Sequence, residues 1–305
     1  MLRVQDLRVS FSRYSGLLQR SEVLALDGVD VEVRRGELLA LVGQSGAGKS
    51  LLAHAVLGVL PRNARLAGQI EFEGRPLDAK RQRLLRGRRM ALVPQAVTWL
   101  DPSATAGRQV RWGASAAGSA ADWRSIEAEF ARYGLAREAM ALFSHQLSGG
   151  MARRVLTAVA TIARADLLIA DEPTTGLDPQ VRALALQLLR RLADQGHAVL
   201  VISHDLSAVL AHSDRVAILH AGRTVELAPA QAFATGQVQH PYTRALRSAL
   251  PVYGFSATPT PAVPLPHGSA GCLHRLECNK ASTRCSEHAP PWVELEGARV
   301  RCHHV

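Results

Sequence analysis

The chain has 305 residues, 47% apolar and 20% charged, enough for one large α/β domain with a small appendage. Its longest apolar runs, at 167–170 and 198–202, fall far short of the roughly 18 residues of a membrane-spanning helix, and the N-terminus lacks a signal peptide's apolar core. The expectation is a soluble, cytosolic protein able to dock onto a membrane partner. Net charge is +10, which admits a nucleic-acid surface. The densest basic group (Arg81, Arg83, Arg86, Arg88, Arg89) has no interleaved aromatic residue, so a solvated face or attraction to an anionic leaflet explains it as well. No nucleic-acid partner is expected.

In chain order, residues 1–42 alternate apolar and polar positions (Leu2, Val4, Leu7, Val9, then Val29, Val31, Val33) and read as antiparallel strands leading to an apolar strand, 38–42. Residues 69–75 read as a further short strand and turn. From about 100 to 165 the chain turns Ala-rich and helical, with helices expected at 114–121, 123–133 and 151–163. Residues 167–170, 198–202 and 216–219 read as buried parallel strands, with a helix near 181–193. That alternation implies a parallel sheet covered on both faces, into which the helical block is inserted. Beyond 237 a short helix is entered through Pro241. Pro259, Pro261, Pro264 and Pro266 then mark a semi-rigid linker, and all four cysteines follow it.

The chemistry begins at Gly43-Gln44-Ser45-Gly46-Ala47-Gly48-Lys49-Ser50, between the apolar strand and a helix-like stretch from Leu51. Strand, glycine-rich turn and helix N-terminus together form a phosphate cradle: glycines let backbone N–H groups close around phosphate oxygens, and the helix dipole adds positive potential. Lys49 would reach the β/γ-phosphates and the Ser50 hydroxyl would ligate Mg²⁺. The alternative is a ligand-free turn, against which the order strand, loop, lysine and serine weighs. A second apolar strand ends in Asp171 and Glu172, where Asp171 can hold the Mg²⁺ shell and Glu172 can orient and deprotonate an attacking water. Two carboxylates capping a following helix is the competing reading.

Leu147-Ser148-Gly149-Gly150-Met151 resembles the signature loop of ATP-binding cassette (ABC) ATPases. Gln95 in Val93-Pro94-Gln95 is similar to the family's Q-loop, Gly176-Leu177-Asp178 to its D-loop, and His204 in Ile202-Ser203-His204-Asp205 to its switch histidine. The resemblance covers about 1–237. It implies a P-loop NTPase of the ABC ATPase type: α/β, with an N-terminal antiparallel β part, an inserted helical subdomain at about 96–165 and a small cysteine-containing C-terminal extension, 238–305. It further implies ATP and Mg²⁺ as ligands. Gly43, Ser45, Gly46, Gly48, Lys49, Ser50, Leu51, Gln95 and Asp178 would line the nucleotide, with Ser50, Gln95 and Asp171 toward the metal and Lys49, Gln95, Glu172 and His204 catalytic. Ser148, Gly149 and Gly150 would contact the γ-phosphate held by an opposite cassette, so that ATP couples binding to dimer closure. Two departures stand out. The adenine-stacking aromatic expected near 19–24 is missing, with Phe11 and Tyr14 the nearest rings, and Met151-Ala152-Arg153-Arg154 stands where a glutamine is common.

His240-Pro241-Tyr242-Thr243 and the cysteine tail resemble the ATPases of dipeptide, oligopeptide and nickel importers. The resemblance implies import of peptides, nickel or a metal chelate, driven from the cytoplasmic side of the inner membrane. The implied partners are two transmembrane permeases, a paralogous second ATPase or a second copy of the chain, and, indirectly, an external solute-binding protein. Cys272, Cys278, Cys285 and Cys302 are spaced like the family's [4Fe–4S] ligands. Zinc and plain reduced thiols are the alternatives, with His274, His288 and His303 as competing ligands. A soluble ABC ATPase acting on nucleic acid or ribosomes is the competing function.

Overall fold

A computed structural model describes residues 1–15, 19–254, 265, 268–295 and 297–305, without the side chains of 13–15, 19 and 20. Pro259, Pro261, Pro264 and Pro266 of the linker and the Tyr14 ring lie outside that description. β1 (Leu2–Ser15) and β2 (Gln19–Val33) pair antiparallel, as their alternation predicts. After β3 (Leu38–Gly43) and α1 (Lys49–Leu57) come β4 (Ala64–Phe72), β5 (Arg75–Pro76), α2 (Ala79–Leu85) and β6 (Met90–Val93). The inserted block contains α3 (Ala106–Ala116), α4 (Trp123–Arg132) and α5 (Gly149–Thr161). Then follow β7 (Leu167–Asp171), α6 (Pro179–Asp194), β8 (Ala198–Ser203), α7 (Leu206–Leu210), β9 (Arg215–His220), β10 (Arg223–Pro229), α8 (Ala230–Thr235), α9 (Pro241–Ser248), α10 (Thr283–Glu287), β11 (Trp292–Leu295) and β12 (Ala298–Arg301).

Two sheets organise these elements. One has the order β2-β1-β4-β5, the other β11-β12-β10-β9-β3-β8-β7-β6. Within the larger sheet β9, β3, β8, β7 and β6 run parallel, while β10, β12 and β11 pair antiparallel. The parallel sheet expected from the sequence forms the centre, and the tight Ala221-Gly222 turn adds β10 antiparallel alongside β9, so the whole sheet is mixed. The C-terminal strands extend this sheet's edge through β12 on β10.

Both faces of the central strands are covered. Along β3, Leu39 and Leu41 point into a core shared with β1, β2 and α1, while Leu38, Ala40 and Val42 point into a core with α6, α7 and α8. Continuous apolar strands need this double cover. The inserted helices bury a third cluster built on Val110, Ile126, Phe130, Tyr133, Val155 and Leu156.

The expected helix at 114–121 is a correction. The helix spans Ala106–Ala116 and is finished by Gly118 at φ +80°, and Asp122 caps α4 through the Ser125 N–H. Alanine favours helix at every position, but the apolar stripe that anchors α3 lies on Ala106, Val110 and Ala114. The arginine group of α2 and its surroundings is largely committed internally: Arg81 donates to the Phe72 carbonyl, Arg86 to Leu57, Arg88 to Ala116, and Arg89 pairs with Glu73 and Asp166.

Candidate nucleotide-binding and hydrolysis site

β6, β7, β8 and β3 are adjacent and parallel, so their C-terminal ends open on one edge of the sheet. Pairing of Val42 with Ser203, Asp171 with Ile202 and Val93 with Ala170 brings the segments carrying Lys49, His204, Glu172 and Gln95 to that edge. Open α/β sheets bind ligands there.

The phosphate loop is built around its glycines. A side chain on Gly43 would overlap the Leu219 carbonyl of β9, and one on Gly48 would overlap the Leu26 side chain of β2. Gly46 and Gly48 have φ of +82° and +91°, which other residues rarely adopt. Ser45 is exposed at the loop's tip and Leu51 half-buried in the first turn of α1. Lys49 is buried and donates from Nζ to the carbonyl oxygens of Gly43, at 2.8 Å, and Gln44, at 3.0 Å. Burial lowers its pKa, opposed by the charges of Glu172 and Asp171.

Asp171 ends β7 with its Oδ1 buried and without a hydrogen-bond partner. Burial raises its pKa, while the neighbouring Ser50 hydroxyl pulls the other way. A buried, unpaired carboxylate oxygen beside a hydroxyl suits a hard divalent cation, so Ser50 and Asp171 fit Mg²⁺. Glu172 sits at φ +49°, strained for a side-chain-bearing residue. Its N–H donates to the Ile202 carbonyl of β8 at 2.9 Å. Its carboxylate lies 2.8 Å from His204 Nδ1, 3.2 Å from the Thr175 hydroxyl and 3.9 Å from Lys49 Nζ. This is the placement a general base needs: held from both sides at the lip of a phosphate cradle. Gln95 is exposed just past β6.

The remaining motif residues stand apart from this cradle. Ser148 caps α5, accepting the Met151 N–H at 3.2 Å, and both Ser148 and Gly149 face solvent; Gly150 is half-buried behind them. Asp178 caps α6, accepting from the N–H groups of Gln180 and Val181. Phe11 is half-buried and packs against the core. Arg153, to which the sequence reading assigns no role, donates from α5 to the Glu172 carbonyl at 2.8 Å. The departure after Met151 was its only signal.

The four cysteines are free, with Cys285 and Cys302 buried. Burial raises the Cys272 and Cys302 thiols, and the neighbouring cysteines push in the same direction. Cys272 N–H donates to the Cys285 carbonyl at 2.7 Å. Among the described residues, however, no three His, Cys, Asp or Glu side chains are arranged around one metal position. The His274 ring packs against His220, His240 and Tyr242. His303 Nε2 lies 3.0 Å from the His288 carbonyl.

Comparison with known proteins agrees with this geometry. Residues 26–175 match the family described as ABC transporter. The oligopeptide transport ATP-binding protein OppD of Escherichia coli is 35% identical, over 99% of this chain and 92% of its own length. A probable peptide ABC transporter ATP-binding protein of Sinorhizobium fredii is 35% identical over 97% of this chain and 92% of its own. A solved ATP-binding cassette dimer carrying ADP and Pi superposes with a TM-score of 0.66 at 23% identity, covering 75% of this chain and 99% of that one, and so shares the fold. The chain belongs to the ABC transporter family and is one of its ATP-hydrolysing subunits.

Proposed function

We propose that the chain hydrolyses ATP to drive import of peptides across the cytoplasmic membrane through separate permease subunits, with nickel or a metal chelate as alternative cargo. The observation that carries the hydrolytic role is Glu172, held by His204 and Thr175 beside Lys49. Lys49 and the loop amides bind and orient the triphosphate, and Glu172 takes the proton of the attacking water. His204 keeps the Glu172 carboxylate aimed and donates a hydrogen bond as charge develops. Ser50 and Asp171, with Gln95, would hold Mg²⁺, which would neutralise phosphate charge. Ser148, Gly149 and Gly150, exposed at the start of α5, suit contact with nucleotide held by a second cassette, either a paralogue or another copy. Residues 1–237 would form the ATPase and 238–305 the extension.

An apolar hollow of about 260 Å³ beside β6, lined in part by Val59, Met90, Leu92 and the exposed Trp99, supports docking of a permease segment next to Gln95. Among the described residues no helix is long and apolar enough to cross a membrane, in keeping with a peripheral subunit on the cytoplasmic side. The peptide-transport names of the relatives support the cargo class. Glu172→Gln is expected to keep ATP affinity, lower turnover by at least about 100-fold and accumulate as a nucleotide-bound dimer in size-exclusion chromatography. Wild-type turnover would remove Glu172 from its role. We also infer that Cys272, Cys278, Cys285 and Cys302 hold a [4Fe–4S] cluster, since four free thiols in one C-terminal segment are its donor set. Protein purified anaerobically should be brown and contain iron, and an iron-free preparation would refute the cluster.

A further inference from the structure

The steps derived above leave Arg153 of α5 without a task. Its side chain is half-buried, and its Nη1 donates not to a carboxylate but to the main-chain carbonyl of Glu172, at 2.8 Å. Withdrawing a guanidinium from water is costly, so the one acceptor it reaches is informative. The next residue behaves differently. Arg154 donates to the carbonyl oxygens of Gly150, Tyr133 and Gly134, all within the inserted block. Of two consecutive arginines on one helix, Arg154 therefore ties the insertion to itself, and Arg153 ties it to the residue that follows β7.

Glu172 is a residue that needs holding. Its φ of +49° lies in the left-handed region, and Pro173 follows it, which further restricts its backbone. On one side its N–H donates to the Ile202 carbonyl of β8 at 2.9 Å. On the other its carbonyl accepts Arg153 and, at a longer 3.4 Å, the Thr175 N–H. The direction of the side chain follows from this backbone, so a relaxed peptide would swing the carboxylate away from His204 and Lys49. Where α5 meets this turn, Gly150, Arg153, Pro173, Leu177 and Val181 line a hollow of about 30 Å³. Packing there is incomplete, which leaves the Arg153 hydrogen bond to carry the link.

We propose that Arg153 is a positioning residue for hydrolysis: by bonding the Glu172 carbonyl it holds the strained backbone that aims the Glu172 carboxylate, and through it the inserted helices restrain the hydrolytic site. The proposal rests on Glu172 being the general base. The hydrogen bond favours the left-handed conformer over relaxed ones in which the carboxylate is misdirected. Arg153 acts only through Glu172, so its loss must appear in the rate of hydrolysis and not in nucleotide affinity.

The test measures ATP hydrolysis by the full chain in its assembled transporter, with ATP affinity and thermal unfolding followed alongside. Arg153→Met keeps an apolar stem and removes the donor. It should lower kcat about tenfold while ATP affinity and the melting temperature stay close to wild type. Arg153→Lys keeps a charged donor and should recover turnover to within about threefold of wild type. Added to Glu172→Gln, Arg153→Met should change the residual rate less than about twofold, because the carboxylate it aims is gone. Wild-type kcat in Arg153→Met overturns the proposal. So does a full tenfold loss on top of Glu172→Gln. A loss that comes with weaker ATP binding or a lowered melting temperature, and that Arg153→Lys does not recover, marks a merely structural residue and overturns it as well. Normal turnover in Glu172→Gln overturns the general-base reading and the proposal with it. An inactive Glu172→Gln beside a normal Arg153→Met overturns the positioning role alone.

Discussion

Lys49, Asp171, Glu172 and His204 are legible from sequence because each belongs to a short local pattern whose backbone geometry dictates its direction. Arg153 is not, because its partner lies 19 residues away with nothing local linking them. His240 shows how a buried site translates into a pH dependence. Burial, with the neighbouring histidines, lowers its pKa to about 3. The unfolded chain takes up a proton near the ordinary histidine value of about 6.5, whereas the folded chain does so only near that lowered value. The stabilising difference is therefore complete above the unfolded pKa and is lost progressively as pH falls from about 6.5 toward about 3. His240→Asn keeps an acceptor for the Tyr242 N–H without a titrating ring. Its urea midpoint should decline less than the wild type's between pH 7 and pH 5, and an equal decline would show that His240 is not a source of the acid sensitivity.

At the scale of elements, the helical insertion shows what periodicity captures and what it misses. The helices at 123–133 and 151–163 match α4 and α5 closely, since amphipathic stripes and the caps Asp122 and Ser148 mark them. The start of α3 is not legible. Thr105 makes no side-chain cap, and the helix begins there because the Ala106 N–H finds the Leu142 carbonyl across the insertion. α3 packs so closely on α5 that a side chain on Gly113 would overlap the Val159 carbonyl and press on Ile162. Gly113→Leu must force the helices apart, since neither backbone can move alone. It should lower stability by about 1–3 kcal/mol by chemical denaturation. A neutral result would mean that the insertion has slack at this contact.

For the whole molecule, the exposed Ser148–Gly149 turn and the phosphate loop are predicted to meet only across two cassettes. Ser148→Arg should leave nucleotide binding by the single chain intact but abolish turnover, by placing a long side chain where the facing γ-phosphate must fit. Mixing Ser148→Arg with Lys49→Ala protein then creates one intact composite site in each mixed pair. Partial recovery of ATPase activity is expected if the chain pairs with itself, and its absence would assign the second half to a sister subunit. Sequence by itself marked the glycine-rich loop, the carboxylate pair, His204 and the doubly covered central strands. Each is written in residues close along the chain, where backbone geometry and side-chain chemistry suffice. Only the tertiary structure decided the antiparallel strands at the sheet's edge, the strained Glu172 held by Arg153, and the packing of His274 of the cysteine-bearing extension against Tyr242. Those contacts join distant segments whose meeting depends on how the whole core packs, and no local pattern records that.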